Sequence, residues 1–216
     1  MKYLTKFETQ SAYEAAQSSL ILPNVSLIKE NNNVEYNPLT PPIIDGHEYV
    51  DLGLPSGTKW ATMNIGASSE TDYGNYYQYG KGSEQYAATS GQSDYSGTED
   101  PLSSSVDTAV QVWGGSWHMP TKVQIEELIA NTTYEWVTID GINGGKLIAQ
   151  NGNYVFFPAA GFYYNGNNTG IGNYGHVKSS TPNGNTHAFY LYLNKNMKDL
   201  GDSYRNYGQP VRPVVG

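Results

Sequence analysis

One stretch, residues 113–131, constrains the fold of this chain more than any other. Thr121 and Gln124, three residues apart, form a capping box, in which each side chain accepts from the other residue's backbone N–H at the start of a helix. The apolar residues that follow have the spacing of one helical face: Ile125, Leu128 and Ile129. Two tryptophans precede the box, and rings of that size anchor cores. The stretch therefore predicts a helix packed against a core.

Around this helix, apolar residues recur at every second position, the pattern of strands with one buried face. The strands predicted from this pattern are residues 47–54, 59–65, 134–139, 146–149, 154–157 and 187–193. In the last of them, the leucines and the tyrosines lie on opposite faces. Asn151-Gly152 predicts a hairpin turn, and Gly144-Gly145 is expected to turn the chain just before that hairpin.

A proline-rich linker at residues 37–42 divides the chain, because its three prolines favour extended backbone. Residues 1–36 are too few for a core of their own. The elements predicted there are a helix capped at Ser11 and strands at 25–28 and 34–36. We expect this segment to attach the chain to a partner or to form a homo-oligomer, and a frayed appendage is the alternative. Residues 43–216 are the predicted ligand-binding domain.

Composition excludes several classes of protein. The chain has no cysteine, which rules out disulfides, thiolate metal sites and cysteine nucleophiles. A net charge of −8 argues against nucleic acid as a partner. No run of about 18 apolar residues that could span a membrane is present. No apolar signal core follows the charged residues at the start, so we do not expect export by the usual secretory route. Only 15% of residues are charged, and Tyr, Asn, Ser and Gly take their place, a composition typical of recognition surfaces.

Two long segments lack a regular period. Residues 66–105 are rich in Gly, Ser, Tyr and Asp, as functional loops are, and their clustered tyrosines are expected to pack the loop onto a sheet. In residues 161–209, Asn and Tyr dominate. The prolines and valines that follow suit an edge or terminal strand.

Three blocks in a fixed order carry a resemblance to a known family. They are VDLGLPSGTKWA at 50–61, WGGSWHMPT at 113–121 and GQPVRPV at 208–214. This pattern resembles a C-type-lectin-fold module of gut Bacteroidetes and their phages, which is related to the formylglycine-generating-enzyme branch of that fold. The resemblance covers residues 43–216. His118 departs from it, because the family usually has Arg at that place.

The resemblance implies an α+β, C-type lectin-like fold with twisted antiparallel sheets, few helices and long loops, behind a small N-terminal appendage. It also implies that the first and last strands of the domain pair. The tail, about residues 162–207, is similar to the variable region of proteins diversified by retroelements. In those proteins, adenine-directed mutagenesis of Asn-type codons changes side chains on the exposed ligand face. Residues 1–36 are similar to N-terminal pieces of phage and prophage structural proteins.

We find no catalytic or metal-binding constellation in the sequence, so we predict no enzyme activity, no cofactor and no metal. Formylglycine formation uses cysteines, which this chain lacks. Calcium-dependent lectins use Glu-Pro-Asn or Gln-Pro-Asp, and Gln209-Pro210-Val211 lacks the polar third residue. The histidines lack the spacing of metal ligands, and His118 is expected in the core. An enzyme acting through a buried carboxylate or histidine in a deep cleft is a third hypothesis.

We therefore predict a non-enzymatic ligand-binding or adhesion module, a hypervariable receptor-binding protein of a phage or prophage at the virion or cell surface. Its expected partner is a cell-surface protein or glycan. The alternative is a structural virion or fimbrial-type protein whose Tyr-rich loops form a subunit interface. Burial under a loop is the alternative for two of the tyrosines, at 190 and 192. The predicted ligand contacts are Tyr163, Tyr164, Asn165, Asn167, Asn173, Tyr174, His176, Tyr190, Tyr192, Asn194, Tyr204 and Asn206.

Overall fold

The computed structural model describes residues 25–30, 33–38, 41–87 and 95–216, with the backbone alone for the first two ranges. The helix predicted near Ser11 lies outside these residues. Within them, no helix has the length and apolar character needed to cross a bilayer.

The N-terminal residues that are described form a hairpin. Its strands are β1 (Val25–Glu30) and β2 (Asn33–Pro38), which pair antiparallel. These ranges include the two strands predicted from the sequence, at 25–28 and 34–36. Strand β2 extends to Pro38, two residues into the predicted linker. Proline favours an extended backbone, and at this position that extended backbone is part of the strand.

The early strands of the main domain and the end of the chain share one antiparallel sheet. In spatial order its strands are β14 (Val214–Val215), β5 (Lys59–Ala61), β4 (His47–Asp51) and β3 (Ile43–Ile44). Val214 lies opposite Trp60, which lies opposite Val50 on its other side. This pairing brings the last strand of the chain beside strands from the start of the domain.

Helix α1 (Thr108–Val112) follows the long irregular loop. Asp107 caps it, because its carboxylate accepts from the backbone N–H groups of Ala109 and Val110 at 2.8 and 3.1 Å. The same carboxylate accepts from the Met119 N–H at 3.0 Å. Burial raises the pKa of Asp107, while these backbone hydrogen bonds act in the opposite direction.

Helix α2 (Lys122–Ala130) has the predicted capping box. Thr121 Oγ1 accepts from the Gln124 N–H at 3.2 Å, and Gln124 Oε1 accepts from the Thr121 N–H at 3.0 Å. Ile125 and Leu128 are fully buried, so the predicted apolar face is confirmed. A capped helix this short takes most of its stability from that burial.

A second antiparallel sheet follows α2. Its strands are β6 (Thr132–Ile139), β7 (Ile142–Ala149) and β8 (Tyr154–Pro158). The turn predicted at Gly144-Gly145 is wrong: both glycines lie inside β7, and the chain turns at Asp140-Gly141, where both φ angles are positive. A Cβ built on Gly144 would lie 2.4 Å from Cζ of Phe156. These glycines therefore make room for rings, and they do not reverse the chain.

The tail forms two further pieces of sheet. They are the hairpin of β9 (Phe162–Tyr164) and β10 (Asn167–Thr169), and the three-stranded sheet of β11 (Gly175–Asn183), β12 (His187–Asn194) and β13 (Met197–Tyr204). Strand β12 lies in the centre and pairs antiparallel with both neighbours. The described part of the chain is therefore mostly antiparallel sheet with few helices.

Buried side chains lock the C-terminal segment to the rest of the domain. The Arg212 guanidinium is fully buried and donates to Asn64 Oδ1 at 2.9 Å and to the carbonyl oxygens of Thr62 and Phe156 at 2.7 and 3.1 Å. Among the loop tyrosines, Tyr77 and Tyr79 are buried, as the sequence predicted for a loop packed onto a sheet.

Candidate ligand-binding face

The sheet β11-β12-β13 has one apolar face and one aromatic face. Leu191 and Leu193 on β12 are fully buried in the main core cluster. On the opposite face of β12 lie Tyr190 and Tyr192, and His176 on β11 is directly opposite Tyr192. Residues that face each other across two strands point to the same side of a sheet, so the second face carries all three rings.

His176 is the centre of this second face. Its ring stacks on Phe162 of β9 with centroids 5.0 Å apart and on Tyr190 with centroids 4.7 Å apart. It meets Tyr192 edge-on at 5.5 Å. Offset stacks and edge-to-face contacts are the arrangements that aromatic rings prefer.

Further rings extend the network toward solvent. Tyr207 stacks on Phe162 with ring centroids 5.0 Å apart, and the Tyr164 ring is tilted against Tyr207 with centroids 4.8 Å apart. Tyr204 lies 5.8 Å from Tyr207. We give the name aromatic band to eight of these connected rings: Phe162, Tyr164, Tyr174, His176, Tyr190, Tyr192, Tyr204 and Tyr207.

Buried hydrogen bonds hold the centre of the band in place. Gln209 Nε2 lies 3.1 Å from His176 Nδ1 and 3.2 Å from Ser203 Oγ. Because an amide nitrogen can only donate, His176 accepts at Nδ1. Burial, and then the nearby Lys178, lower the pKa of His176 to about 3. The imidazole is therefore neutral at physiological pH and acts as a fixed ring in the band.

Lys178 lies two residues further along β11, opposite Tyr190. Its side chain is buried, and its Nζ has no hydrogen-bond partner among the residues that the structure describes. Burial lowers the pKa of Lys178 to about 7. Burying an ammonium group without a hydrogen-bond acceptor costs free energy. Protonation of the Lys178 amine is therefore unfavourable in the folded protein.

The outer rings of the band and the tip of the β9–β10 hairpin are exposed. Asn165 and Gly166 have positive φ angles, as the two-residue turn of a hairpin requires. The predicted ligand contacts that the structure exposes are Tyr164, Asn165, Asn167, Asn173, Tyr174 and Tyr204. The exposed fraction is 36% for Tyr164, 38% for Tyr174 and 51% for Tyr204.

Four other predicted contacts are half-buried: Tyr163, Tyr190, Tyr192 and Asn194. Asn194 Nδ2 donates to the Tyr192 hydroxyl at 3.0 Å, which fixes the edge of that ring. Tyr163 does not join the band, because alternate residues of a strand point to opposite faces. Its ring packs edge-on against Tyr76 at 4.7 Å. Tyr163 therefore helps to hold the long loop.

Two predicted contacts need correction, because the structure places them in the interior. His176 is 6% exposed and Asn206 is 4% exposed. The rings of the band cover His176, and the carbonyl of Asn206 accepts from Gln78 Nε2 at 2.9 Å in a buried contact. Neither side chain is placed to meet a ligand directly; His176 supports the rings of the band, and Asn206 contacts the long loop through its backbone.

The sequence reasoning missed Phe162, Lys178 and Tyr207. A signal was present for Lys178, because it stands at the alternate position after His176 on a strand. Tyr207 joins the aromatic band by stacking on Phe162, which is distant from it in the sequence. No local pattern predicts a contact of that kind.

The chemistry of the described residues is that of contact surfaces. Within the part of the chain that the structure describes, no three His, Asp or Glu side chains are grouped so that they could hold a metal ion. His118 is partly buried, with Nδ1 2.9 Å from the Met119 carbonyl oxygen. What the face offers a ligand is therefore ring surface, hydroxyl groups and amides.

Comparison with known proteins identifies no relative of this chain. It matches no family model, no curated protein and no solved structure. What the chain does is therefore inferred from its own residues: a sheet-rich domain with aromatic rings displayed along one face.

Proposed function

We propose that this chain is a non-enzymatic ligand-binding module that uses the aromatic band to bind a cell-surface protein or glycan. One observation carries the proposal: rings fixed at the centre of the band continue without a break into exposed rings at its edge, Tyr164, Tyr174 and Tyr204. Tyrosine has few rotatable bonds and offers both ring surface and a hydroxyl, so it makes contacts at low entropic cost.

The stacked centre is what makes the edge suitable for binding. A side chain that is mobile before binding loses rotamer freedom when it is immobilised, at a cost of about 0.5–1.5 kcal/mol each. Tyr190 and Tyr192 are held by His176 and cannot move freely. The exposed rings pack against this fixed layer, which reduces the entropy that a ligand must overcome.

The same proposal includes the fold and the biological setting. We infer a C-type lectin-like fold for residues 43–216, supported by the pairing of β14 with β5 and by the long loops held on sheets. The proposed setting is a hypervariable receptor-binding protein of a phage or prophage of gut Bacteroidetes. The tail from 162 to 207, which carries the exposed asparagines and tyrosines, is the proposed diversified region.

The experiment that tests this function is binding of the labelled protein to a panel of intact gut Bacteroidetes cells. We expect Tyr174→Ala and Tyr204→Ala to weaken binding severalfold, because both remove exposed rings. Tyr49→Ala is the control: Tyr49 is half-buried on β4, in a different sheet from β11-β12-β13, and its loss should leave binding unchanged.

Light scattering after size exclusion distinguishes the structural alternative. If the wild type is an oligomer and Tyr174→Ala or Tyr204→Ala dissociates it, the exposed rings form a subunit interface and the proposed function is wrong. If the oligomeric state is unchanged while cell binding falls, the rings contact the partner.

A further inference from the structure

A cleft of about 330 Å³ lies apart from the stacked centre of the aromatic band. It is lined by Trp136, Asn143, Gly172, Asn173 and Lys195. This volume is within the range of small-molecule sites. Of these residues only Asn173 belongs to the predicted contacts, and the proposed function does not depend on the cleft.

The apolar wall of the cleft is Trp136 on β6. Its indole is half-buried and packs against the main core cluster, which fixes its position. Within the described residues, no other aromatic ring stacks on it, so the ring face is not covered by a neighbour of its own kind. A fixed ring of this size provides a flat apolar surface for a ligand.

The amides of the cleft are oriented before any ligand binds. Asn143 Oδ1 accepts from Thr138 Oγ1 at 2.7 Å, and Asn143 Nδ2 donates to the Gly172 carbonyl at 3.1 Å. Asn173 Nδ2 donates to the Ile171 carbonyl at 3.3 Å. Each Asn side chain carries two N–H donors and an acceptor oxygen. Asn143 and Asn173 therefore keep donor and acceptor capacity that is fixed in direction.

The cation of the cleft is Lys195, in the turn between β12 and β13. The turn is held by Asn194 Oδ1, which accepts from the backbone N–H groups of Asn196 and Met197 at 2.8 and 3.1 Å. Lys195 is exposed and, in the residues that the structure describes, forms no ion pair. Because it is exposed and unpaired there, this amine is available for an anionic ligand.

We propose that this cleft binds a carboxylated sugar of the uronic acid type. The apolar C–H face of the sugar ring lies on Trp136, its hydroxyl groups bond the amides of Asn143 and Asn173, and its carboxylate meets Lys195. A single amine matches a single negative charge, whereas phosphate sites gather several N–H donors. Sugar hydroxyl groups can both donate and accept hydrogen bonds, so they can pair with the free N–H groups and with the oxygens of the two amides.

The test is titration of the ¹⁵N-labelled full chain with D-galacturonate and D-glucuronate, followed by NMR at the Trp136 indole N–H. We expect saturable shifts at millimolar concentrations, and weaker binding by the neutral parent sugars galactose and glucose. Lys195→Met should weaken uronate binding about tenfold, the loss of one charge-assisted hydrogen bond, while Lys195→Arg should retain most of it. Trp136→Phe, followed at the side-chain NH₂ signals of Asn143 and Asn173, should also weaken binding, and it keeps an aromatic ring at this position if Trp136→Ala does not fold.

Three results would overturn the inference: no shift of the indole signal with either uronate, equal binding of neutral and acidic sugars with Lys195→Met unaffected, or tighter binding of benzoate than of uronate. The last would assign the cleft to aromatic acids. Tyr204→Ala is the control that separates this site from the proposed function, because it removes a ring of the aromatic band and should leave uronate binding intact.

Discussion

The ring of Tyr190 lies across Gly201, its antiparallel partner in β13. A Cβ built on Gly201 would be 2.8 Å from Cζ of Tyr190, closer than real side chains approach. Glycine weakens a strand, and an aromatic ring laid over it restores cross-strand contact. Burial raises the pKa of Tyr190 to about 12. This pair explains why Tyr190 is fixed at the centre of the aromatic band.

Gly201→Ala should therefore displace the Tyr190 ring. We expect a loss of about 1–3 kcal/mol in the free energy of unfolding, the usual cost of overpacking, measured by urea denaturation. Asp202→Ala, at the next and exposed position of the same strand, is the control and should stay within about 0.5 kcal/mol of wild type. Equal effects of the two substitutions would mean that the ring has room to move.

Trp117→Ala should unfold the domain or come close to it. Trp117 is fully buried, and its Nε1 donates to the Ile44 carbonyl at 3.0 Å. Loss of a buried Trp costs about 3–5 kcal/mol, a large part of the stability of a typical domain. Val123→Ala, at an α2 position that is 70% exposed, should change the melting temperature little. A cooperative transition near the wild-type temperature in Trp117→Ala would contradict the burial.

Arg212→Lys should destabilise the domain although it keeps the charge. The guanidinium of Arg212 bonds Asn64 and several carbonyl groups from different segments. A lysine has neither the fork geometry nor enough donors to replace these bonds. Unsatisfied buried acceptors cost about 1–3 kcal/mol each, so chemical denaturation should show a loss of that size or more. Lys59→Arg on β5 is the reverse exchange at a less buried position and should be nearly neutral.

Lys178→Met should stabilise the protein in a pH-dependent way. The folded-state pKa of Lys178 is lowered to about 7 from 10.5, so the unfolded chain binds the extra proton between these values and the wild type loses stability as pH falls through that window. The melting temperature of Lys178→Met should exceed that of wild type most at pH 7 and below. The pH-dependent part of the difference should disappear above pH 10.5, and a constant gain from removing the buried polar amine should remain. A gain that is the same at all pH values would mean that the interior stabilises the charged amine.

Local sequence patterns predicted the helix and most strands. The capping box at Thr121 and the alternation around Leu191 are short-range signals, and both are confirmed. The prediction failed at Gly144-Gly145, where Gly144 makes room for Phe156 and Gly145 for Tyr134 on the neighbouring strands. Glycine permits turns, but it also permits close packing of rings, and the local sequence does not distinguish the two uses.

The candidate site was predictable as a segment and not residue by residue. The abundance of Asn and Tyr identified the tail, and alternation separated Tyr190 from Leu191. What the sequence did not predict was depth: His176 lies beneath rings from β9 and β12, and Asn206 beneath the long loop. Depth depends on which distant segments cover a residue, and that is a property of tertiary packing.

The central claim is that the edge of the aromatic band is displayed to a partner while its centre is fixed. Hydroxyl-radical footprinting of tyrosines, in the free protein and in the protein bound to cells that it recognises, tests it most directly. We predict that Tyr164, Tyr174 and Tyr204 oxidise much faster than the buried Tyr77 and Tyr79 in the free protein, and that cell binding protects them. If these three tyrosines oxidise in the free protein as slowly as Tyr77 and Tyr79, the band is covered by the chain itself or by its copies, and the account is contradicted.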